Sequence, residues 1–107
     1  MKNMKNNKTL NEIKEKITEK KNFLMETYGV EEIGIFGSFA RGEDTLLSDI
    51  DLLFDINENK EDVVSIFDLV DMKLYLENLL GKTVDIVEKG SIKPGFKNQI
   101  LNDVIMI

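Results

Sequence analysis

Two aspartates separated by one apolar residue lie in a segment of this chain whose residue types could do chemistry. Asp49 and Asp51 flank Ile50 in the stretch GSFARGEDTLLSDIDLLFD, residues 37–55. In a strand, alternate side chains share a face and lie about 6.6 to 7 Å apart along the backbone. Both carboxylates therefore point the same way, and they could hold two divalent cations about 3.5 to 4 Å apart, which suits in-line displacement at phosphorus.

A third carboxylate and a glycine-serine turn extend this pattern. Asp85 alternates with apolar residues in VDIV, so it joins the two aspartates if the two strands are neighbours. Gly37 and Ser38 stand at the start of a short helix, where backbone N–H groups and the Ser38 hydroxyl could hold phosphate oxygens. Two aspartates in a strand are often only a solvated face, and the Gly-Ser pair upstream favours a site instead.

The composition excludes several kinds of catalysis. The sequence contains no cysteine or histidine, so a thiol nucleophile, an imidazole base and the usual zinc ligands are all absent. Carboxylates alone suit hard cations such as Mg²⁺ or Mn²⁺. The net charge of −6 argues against direct nucleic-acid binding. No apolar run reaches the ~18 residues of a membrane span, and the first residues lack the apolar core of a secretory signal, so we expect a cytoplasmic protein.

The first half of the chain predicts a helix, two strands and a connecting loop. Apolar residues repeat at helical spacing from Thr9, which forms a possible capping box with Glu12, up to a stop at Gly29. Alternation of apolar and polar residues around position 34 predicts a short strand, and DIDLLFD, residues 49–55, predicts a second. SFARG between them could begin a short helix, followed by a loop.

The second half predicts a helix, a strand and a final helix. Residues 60–80 are helical by period, with Asn59 as the cap and Gly81 as the stop. KTVDIVE predicts a third strand, and residues 96–107 predict a helix with an apolar end. The order indicates a small α/β (α+β) domain over residues 9–107, with a mixed sheet carrying helices on one side and with residues 1–8 frayed or disordered.

These residues together resemble the signature of the minimal nucleotidyltransferases of the polymerase-β-like superfamily, in which ten residues separate a Gly-Ser pair from Asp-x-Asp. The resemblance spans about residues 9–107. The matching positions are Gly37, Ser38, Ala40, Arg41, Gly42, Ser48, Asp49, Asp51 and Leu52.

The resemblance implies a polymerase-β-like core and transfer of a nucleoside monophosphate from an NTP, with pyrophosphate leaving. Gly37 and Ser38 would bind the β- and γ-phosphates of the nucleotide, which we expect to be ATP. Asp49 and Asp51 would bridge two Mg²⁺ ions. Asp85 would complete the metal site and accept or relay the proton of the acceptor, so all three aspartates are expected to be catalytic and metal-binding.

Two charged residues near the motif have less defined roles. Arg41 could approach a phosphate of the nucleotide, or it could brace the loop against an acid such as Asp44. Asp55 lies on the same strand parity as Asp51 but at the end of the strand, and we expect it to be structural.

Members of this size resemble the antitoxin half of HEPN/MNT modules, which adds AMP to a tyrosine of a HEPN ribonuclease toxin. That resemblance implies a protein partner in a hetero-oligomer, and 107 residues leave no second domain to bind an acceptor. The apolar C-terminus, with Ile100, Val104 and Ile107, could pack on its own core or form the partner surface. The alternatives are nucleotidylation of a small hydroxylated molecule such as an antibiotic, and a non-catalytic antitoxin that neutralises its partner by binding.

Overall fold

The computed structural model describes residues 9–60 and 64–107 of the chain. The predicted frayed segment 1–8 lies outside the described residues. A short 3-10 turn, Lys89–Ser91, follows the third strand. The helices and strands, in chain order, are α1 (Leu10–Glu19), α2 (Lys21–Tyr28), β1 (Val30–Phe36), α3 (Gly37–Arg41), β2 (Ile50–Ile56), α4 (Ile66–Leu80), β3 (Val84–Glu88), α5 (Pro94–Asp103) and β4 (Ile105–Met106).

The N-terminal helical region has the predicted ends but is broken in the middle. Thr9 caps α1 through the predicted capping box with Glu12, and Gly29 ends α2 in the left-handed conformation at φ 75°. Lys20 separates the two helices with φ −109° and ψ 8°. The prediction of one continuous helix is therefore wrong at Lys20, where the backbone N–H turns back to the carbonyls of Ile17 and Thr18.

The long helix α4 starts later than predicted. Ser65 is its N-cap, because the Ser65 hydroxyl accepts a hydrogen bond from the backbone N–H of Asp68 while the Asp68 carboxylate accepts one from the backbone N–H of Ser65. This reciprocal pair satisfies two donors of the first turn, which explains why the helix begins here and not at Asn59. Residues 61–63 of the predicted helix lie outside the described residues. The predicted stop at Gly81 is confirmed.

The C-terminus ends in a strand, so the prediction of a helix through residue 107 is wrong. Helix α5 finishes at Asp103, Val104 is extended, and β4 pairs antiparallel with β1. The backbone N–H of Ile107 also donates to the carbonyl of Ile33 at 2.9 Å. These edge hydrogen bonds satisfy backbone groups that would otherwise face solvent, and they favour the extended conformation.

The sheet is mixed, with the strand order β3-β2-β1-β4. Strand β2 is antiparallel to β1 and parallel to β3. Helices α1, α2 and α4 supply buried side chains to one face, where they form a single core with the inward residues of β1 and β2. The predicted fold is therefore confirmed. Among residues 9–60 and 64–107, no helix is long and apolar enough to cross a membrane.

Candidate active site

Asp51 and Asp85 lie opposite each other on two adjacent strands. The parallel register of β2 and β3 pairs Asp51 with Asp85, while their neighbours Ile50 and Leu52 are fully buried in the core. The two acidic side chains consequently share the sheet face that the helical layer does not cover. The grouping of Asp85 with Asp51 required β2 and β3 to be neighbours, and the sheet meets this condition. Asp85 therefore lies beside the strand that carries Asp51.

The electrostatics of this pair differ from those of an ordinary surface. Asp51 is half-buried, and this burial is the largest cause that raises its pKa above the usual range; the charges of Asp85 and Asp49 raise it further. Each of these effects disfavours an additional negative charge. A cation bound at this point would offset the cost of burying the Asp51 carboxylate and its repulsion by the neighbouring carboxylates.

Gly37 covers Asp51 from the start of α3. The glycine has a φ of 76°, and a Cβ built on it would lie 2.1 Å from Oδ2 of Asp51. Any other residue type would need both the left-handed conformation and a displacement of the carboxylate. Ser38 follows directly and is half-buried. The first turn of α3 thus brings the two residues predicted to bind phosphate next to the acidic pair.

Asp49 lies just outside strand β2, and a neighbouring residue fixes its side chain. The hydroxyl of Thr83 donates a hydrogen bond to Oδ1 of Asp49. The carbonyl of Thr83 accepts a hydrogen bond of 3.0 Å from the backbone N–H of Ile50. Lys82 donates to the carbonyl of Leu46 at 2.9 Å, so the segment before β3 contacts the loop before β2 at several points.

Arg41 ends α3 and forms two ion pairs. Its Nε lies 2.9 Å from a carboxylate oxygen of Glu43, and its NH1 group lies 2.8 Å from one of Asp103. These hydrogen bonds raise the pKa of Arg41, with Glu43 as the larger cause. The acids that brace Arg41 are thus Glu43 and Asp103, whereas the sequence suggested Asp44. The positive charge also acts on Asp51, whose pKa it lowers slightly against the other effects.

Two residues that sequence reasoning missed take part in this arrangement. Thr83 becomes a neighbour of Asp49 only through the parallel register, and a possible signal was its position one residue before β3, matching Asp49 before β2. Asp103 reaches Arg41 from the distant helix α5, and no local pattern indicates it. Asp55, predicted to be structural, is paired with Glu32 on β1, away from the Gly37 turn.

The donor set consists of carboxylate oxygens, which Mg²⁺ prefers, and it contains no nitrogen or sulfur ligand. Within the part of the chain that the structure describes, no three acidic side chains gather closely enough to hold a metal ion by themselves. Mg²⁺ is commonly bound by one or two carboxylates together with substrate phosphates, and not by a cage of protein ligands alone. The pair Asp51 and Asp85 beside Gly37 fits that mode of binding.

The chain is similar in sequence to nucleotidyltransferases over nearly its whole length. Residues 10–107 match the nucleotidyltransferase domain family. The chain is 41% identical over 99 residues to the protein adenylyltransferase MntA of Thermococcus cleftensis, a match that covers 92% of this chain and 96% of that relative. The family match spans all the helices and strands given above, together with the acidic site.

Two solved structures have the same fold. A toxin-antitoxin with AMP-PNP superposes with a TM-score of 0.68 at 22% identity and covers 86% of this chain and 69% of that chain. A tri-AMPylated HEPN toxin in complex with MNT antitoxin, from Shewanella oneidensis, gives a TM-score of 0.62 at 17% identity and covers 88% and 70%. These structures share the fold of this chain, and the sequence matches show that the chain belongs to the nucleotidyltransferase domain family.

Proposed function

We propose that this nucleotidyltransferase is a Mg²⁺-dependent protein adenylyltransferase that transfers AMP from ATP to a tyrosine of a HEPN toxin and so acts as its antitoxin. The observation that carries the proposal is the paired carboxylates of Asp51 and Asp85 beneath the Gly37 turn. This arrangement brings together acidic oxygens and the start of a helix, which are the two groups that a metal-bound triphosphate requires.

Asp49, Asp51 and Asp85 would hold the Mg²⁺ ions. When bound, the metal would neutralise the charge that develops on the phosphate oxygens and orient the groups for in-line displacement. The raised pKa of Asp51 supports this assignment, because acids crowded around a half-buried position are stabilised by a cation. Asp49 has one carboxylate oxygen hydrogen-bonded to Thr83, so its second oxygen is the candidate ligand.

The turn at Gly37 and Ser38 holds the β- and γ-phosphates of ATP. Backbone N–H groups at the beginning of α3 would donate to such oxygens, and the Ser38 hydroxyl would be a further donor. Absence of a Cβ at Gly37 allows the turn to approach Asp51 closely. The phosphates and the acidic pair would then be able to share the same metal ions.

The transfer itself exchanges a phosphoanhydride bond of ATP for a phosphoester bond to tyrosine. The tyrosine oxygen forms a bond to the α-phosphorus, the bond from that phosphorus to the bridging oxygen breaks, and pyrophosphate leaves. Asp85 is exposed beside Asp51 and accepts the proton of the tyrosine hydroxyl. Binding the acceptor in line with the α-phosphate supplies much of the rate enhancement, for which well-oriented reactions gain about 7 to 11 kcal/mol.

The relatives support the choice of acceptor. The Thermococcus relative is named a protein adenylyltransferase, and the Shewanella complex contains a tri-AMPylated HEPN toxin with its MNT antitoxin. AMP-PNP, present in the other toxin-antitoxin structure, is an analogue of ATP. These findings favour a protein hydroxyl and an adenine nucleotide over the alternatives that the sequence leaves open.

Mass spectrometry of the partner tests the proposal. The purified chain would be incubated with a purified HEPN protein, and the intact mass of that protein would be measured with and without Mg²⁺ and ATP. We expect the mass of the HEPN protein to rise by whole multiples of one AMP group, and peptide fragmentation to place these groups on tyrosine. Asp51→Asn should abolish the increments, whereas Asp44→Asn, in the exposed loop, should retain them.

Three results would contradict specific parts of the proposal. An unmodified HEPN protein that is nevertheless inhibited would indicate neutralisation by binding alone. Rapid AMP transfer to a small alcohol or an aminoglycoside, with no association with the HEPN protein, would assign a small-molecule substrate. Equal transfer of the nucleotide from ATP, GTP, CTP and UTP would contradict the proposed preference for ATP.

A further inference from the structure

Thr83 contacts Asp49 and the residue that follows it. Its hydroxyl donates to Oδ1 of the Asp49 side chain, and its carbonyl accepts the backbone N–H of Ile50 at 3.0 Å. The parallel register pairs Ile50 with Val84, so Thr83 and Asp49 occupy equivalent positions before their strands. One residue therefore restrains both the backbone and the carboxylate at the beginning of β2.

Asp49 needs such a restraint more than Asp51 does. Asp51 lies inside β2 and is paired with Phe36 on one side and Asp85 on the other. Asp49 is exposed and stands at the end of a loop whose residues 42–47 are exposed as well. The position of Asp51 follows from the sheet, whereas the side-chain orientation of Asp49 depends on its contact with Thr83.

The chemistry of threonine suits this task. A β-branched side chain has few favourable rotamers, so the direction of the hydroxyl is well defined. A carboxylate whose Oδ1 accepts a hydrogen bond presents its other oxygen in a fixed direction. Hydrogen-bond partners of metal ligands act in this way, and their loss typically reduces metal affinity or activity by about 10- to 100-fold.

We propose that Thr83 is a positioning residue that orients the Asp49 carboxylate for the metal-nucleotide complex. The proposal rests on the proposed function of the acidic site, but it concerns the binding of metal and nucleotide, a step that precedes any acceptor. It assigns no contact between Thr83 and the reacting atoms.

Three variants test this role. Thr83→Val removes the hydroxyl and keeps the branched shape, and Thr83→Ser keeps the hydroxyl. Thr18→Val is the matched control, because the Thr18 hydroxyl donates to the carbonyl of Lys14 in α1, within the helix itself. For each protein, the affinity for Mn²⁺ would be measured by electron paramagnetic resonance in the presence of AMP-PNP, together with thermal unfolding.

We expect Thr83→Val to weaken Mn²⁺ binding by about tenfold or more while Thr83→Ser and Thr18→Val stay close to wild type. In a transfer assay, Thr83→Val should raise the KM for the metal-nucleotide more than it lowers kcat. An Mn²⁺ affinity for Thr83→Val equal to or tighter than that of the wild type would overturn the proposal. If Thr83→Val unfolds, the Mn²⁺ affinity of Thr83→Ala would be measured below the melting temperature of that variant. An affinity equal to or tighter than that of the wild type would again overturn the proposal.

The design separates this proposal from the proposed function. If the wild type binds Mn²⁺ and AMP-PNP but transfers no AMP to a HEPN protein, the acceptor assignment fails and the Thr83 result still stands. If the wild type transfers AMP and Thr83→Val binds Mn²⁺ normally, the function stands and the positioning role fails.

Discussion

Gly37 and Asp51 approach each other so closely that a Cβ on the glycine would lie 2.1 Å from Oδ2 of the aspartate. The glycine is also left-handed, at φ 76°. Two requirements thus coincide at one position: a backbone conformation that other residues rarely adopt, and space for a carboxylate. The turn predicted to hold phosphate and the acidic pair predicted to hold metal are consequently one structural unit.

Gly37→Ala should inactivate the protein. The methyl group must displace Asp51 or shift the turn, and a misplacement of about 1 Å in an active site can lower the rate by about a hundredfold. Gly42→Ala is the matched control, since Gly42 has a similar φ of 73° but nothing lies within 4 Å of a Cβ built there. Each variant carries about 1 to 2 kcal/mol of left-handed backbone strain, so their thermal unfolding calibrates that shared cost. AMP transfer as strong in Gly37→Ala as in Gly42→Ala would contradict the close approach.

Replacing Asp51 with asparagine should separate activity from stability. Transfer should fall by about a thousandfold through the loss of a metal-binding charge. Without metal, the variant should melt at a higher temperature than the wild type near neutral pH, because a half-buried charge and its repulsion by Asp85 are removed. A variant that retains more than about a tenth of the wild-type rate would remove Asp51 from the metal site.

The pH dependence of that stability difference has a definite sign. The folded protein raises the pKa of Asp51, so above that raised pKa the ionised side chain destabilises the fold relative to the unfolded chain. As the pH falls through the raised pKa toward the ordinary range, the wild type takes up a proton and this cost disappears. The advantage of Asp51→Asn should therefore shrink on acidification, which melting curves of metal-free protein would show. An advantage that grows on acidification would contradict the direction of the pKa shift.

Local signals predicted much of the fold, and the register of distant strands decided the rest. The Thr9 capping box and the stops at Gly29 and Gly81 were confirmed because each depends on neighbouring residues only. Strand β4 was missed because its two residues are extended by pairing with β1, far away in sequence. A helical period in the apolar C-terminus could not reveal that partner.

In the candidate site, too, some features follow from local sequence and others depend on the completed fold. Strand parity indicated that Asp49 and Asp51 share a face, and the grouping with Asp85 needed only that β2 and β3 be neighbours. The contacts of Thr83 and Asp103 depend on side chains brought together by the completed fold. Sequence patterns indicate the candidate acidic residues more readily than the neighbours that contact them.

Arg41 should influence the charge state of Asp51. Its guanidinium lowers the pKa of Asp51 against burial and repulsion, so Arg41→Gln should raise that pKa further, whereas Arg41→Lys should change it less. Carbon-13 NMR titration of the metal-free carboxyl group would measure both. Because Arg41 is exposed in its pairs with Glu43 and Asp103, its loss should change the stability of the fold very little. If the pKa of Asp51 is unchanged in Arg41→Gln, the charge of Arg41 does not act on Asp51. The role of Arg41 would then be restricted to its contacts with Glu43 and Asp103 or with phosphate.

Ile107 at the end of the chain packs against the core of the domain, which changes what a substitution there would report. Its side chain is partly buried against the core cluster. Its backbone N–H donates a hydrogen bond to the carbonyl of Ile33, and its carbonyl accepts a hydrogen bond of 2.9 Å from Nζ of Lys21. If the apolar C-terminus formed the partner surface, aspartate at Val104 and Ile107 would weaken complex formation while leaving ATP binding intact. Since Val104 is half-buried as well, we now expect these changes to destabilise the domain itself.

Ile107→Asp should lower the free energy of unfolding by about 1 to 2 kcal/mol, because a charge replaces apolar surface packed on the core. Phe67→Asp is the control, since the Phe67 side chain on α4 is 81% exposed and its replacement should change stability by less than about 0.5 kcal/mol. Urea unfolding monitored by circular dichroism would measure both variants without a partner. If Ile107→Asp unfolds at the same urea concentration as Phe67→Asp, the C-terminal strand contributes little to the core, and a direct role of Ile107 in partner binding becomes testable again.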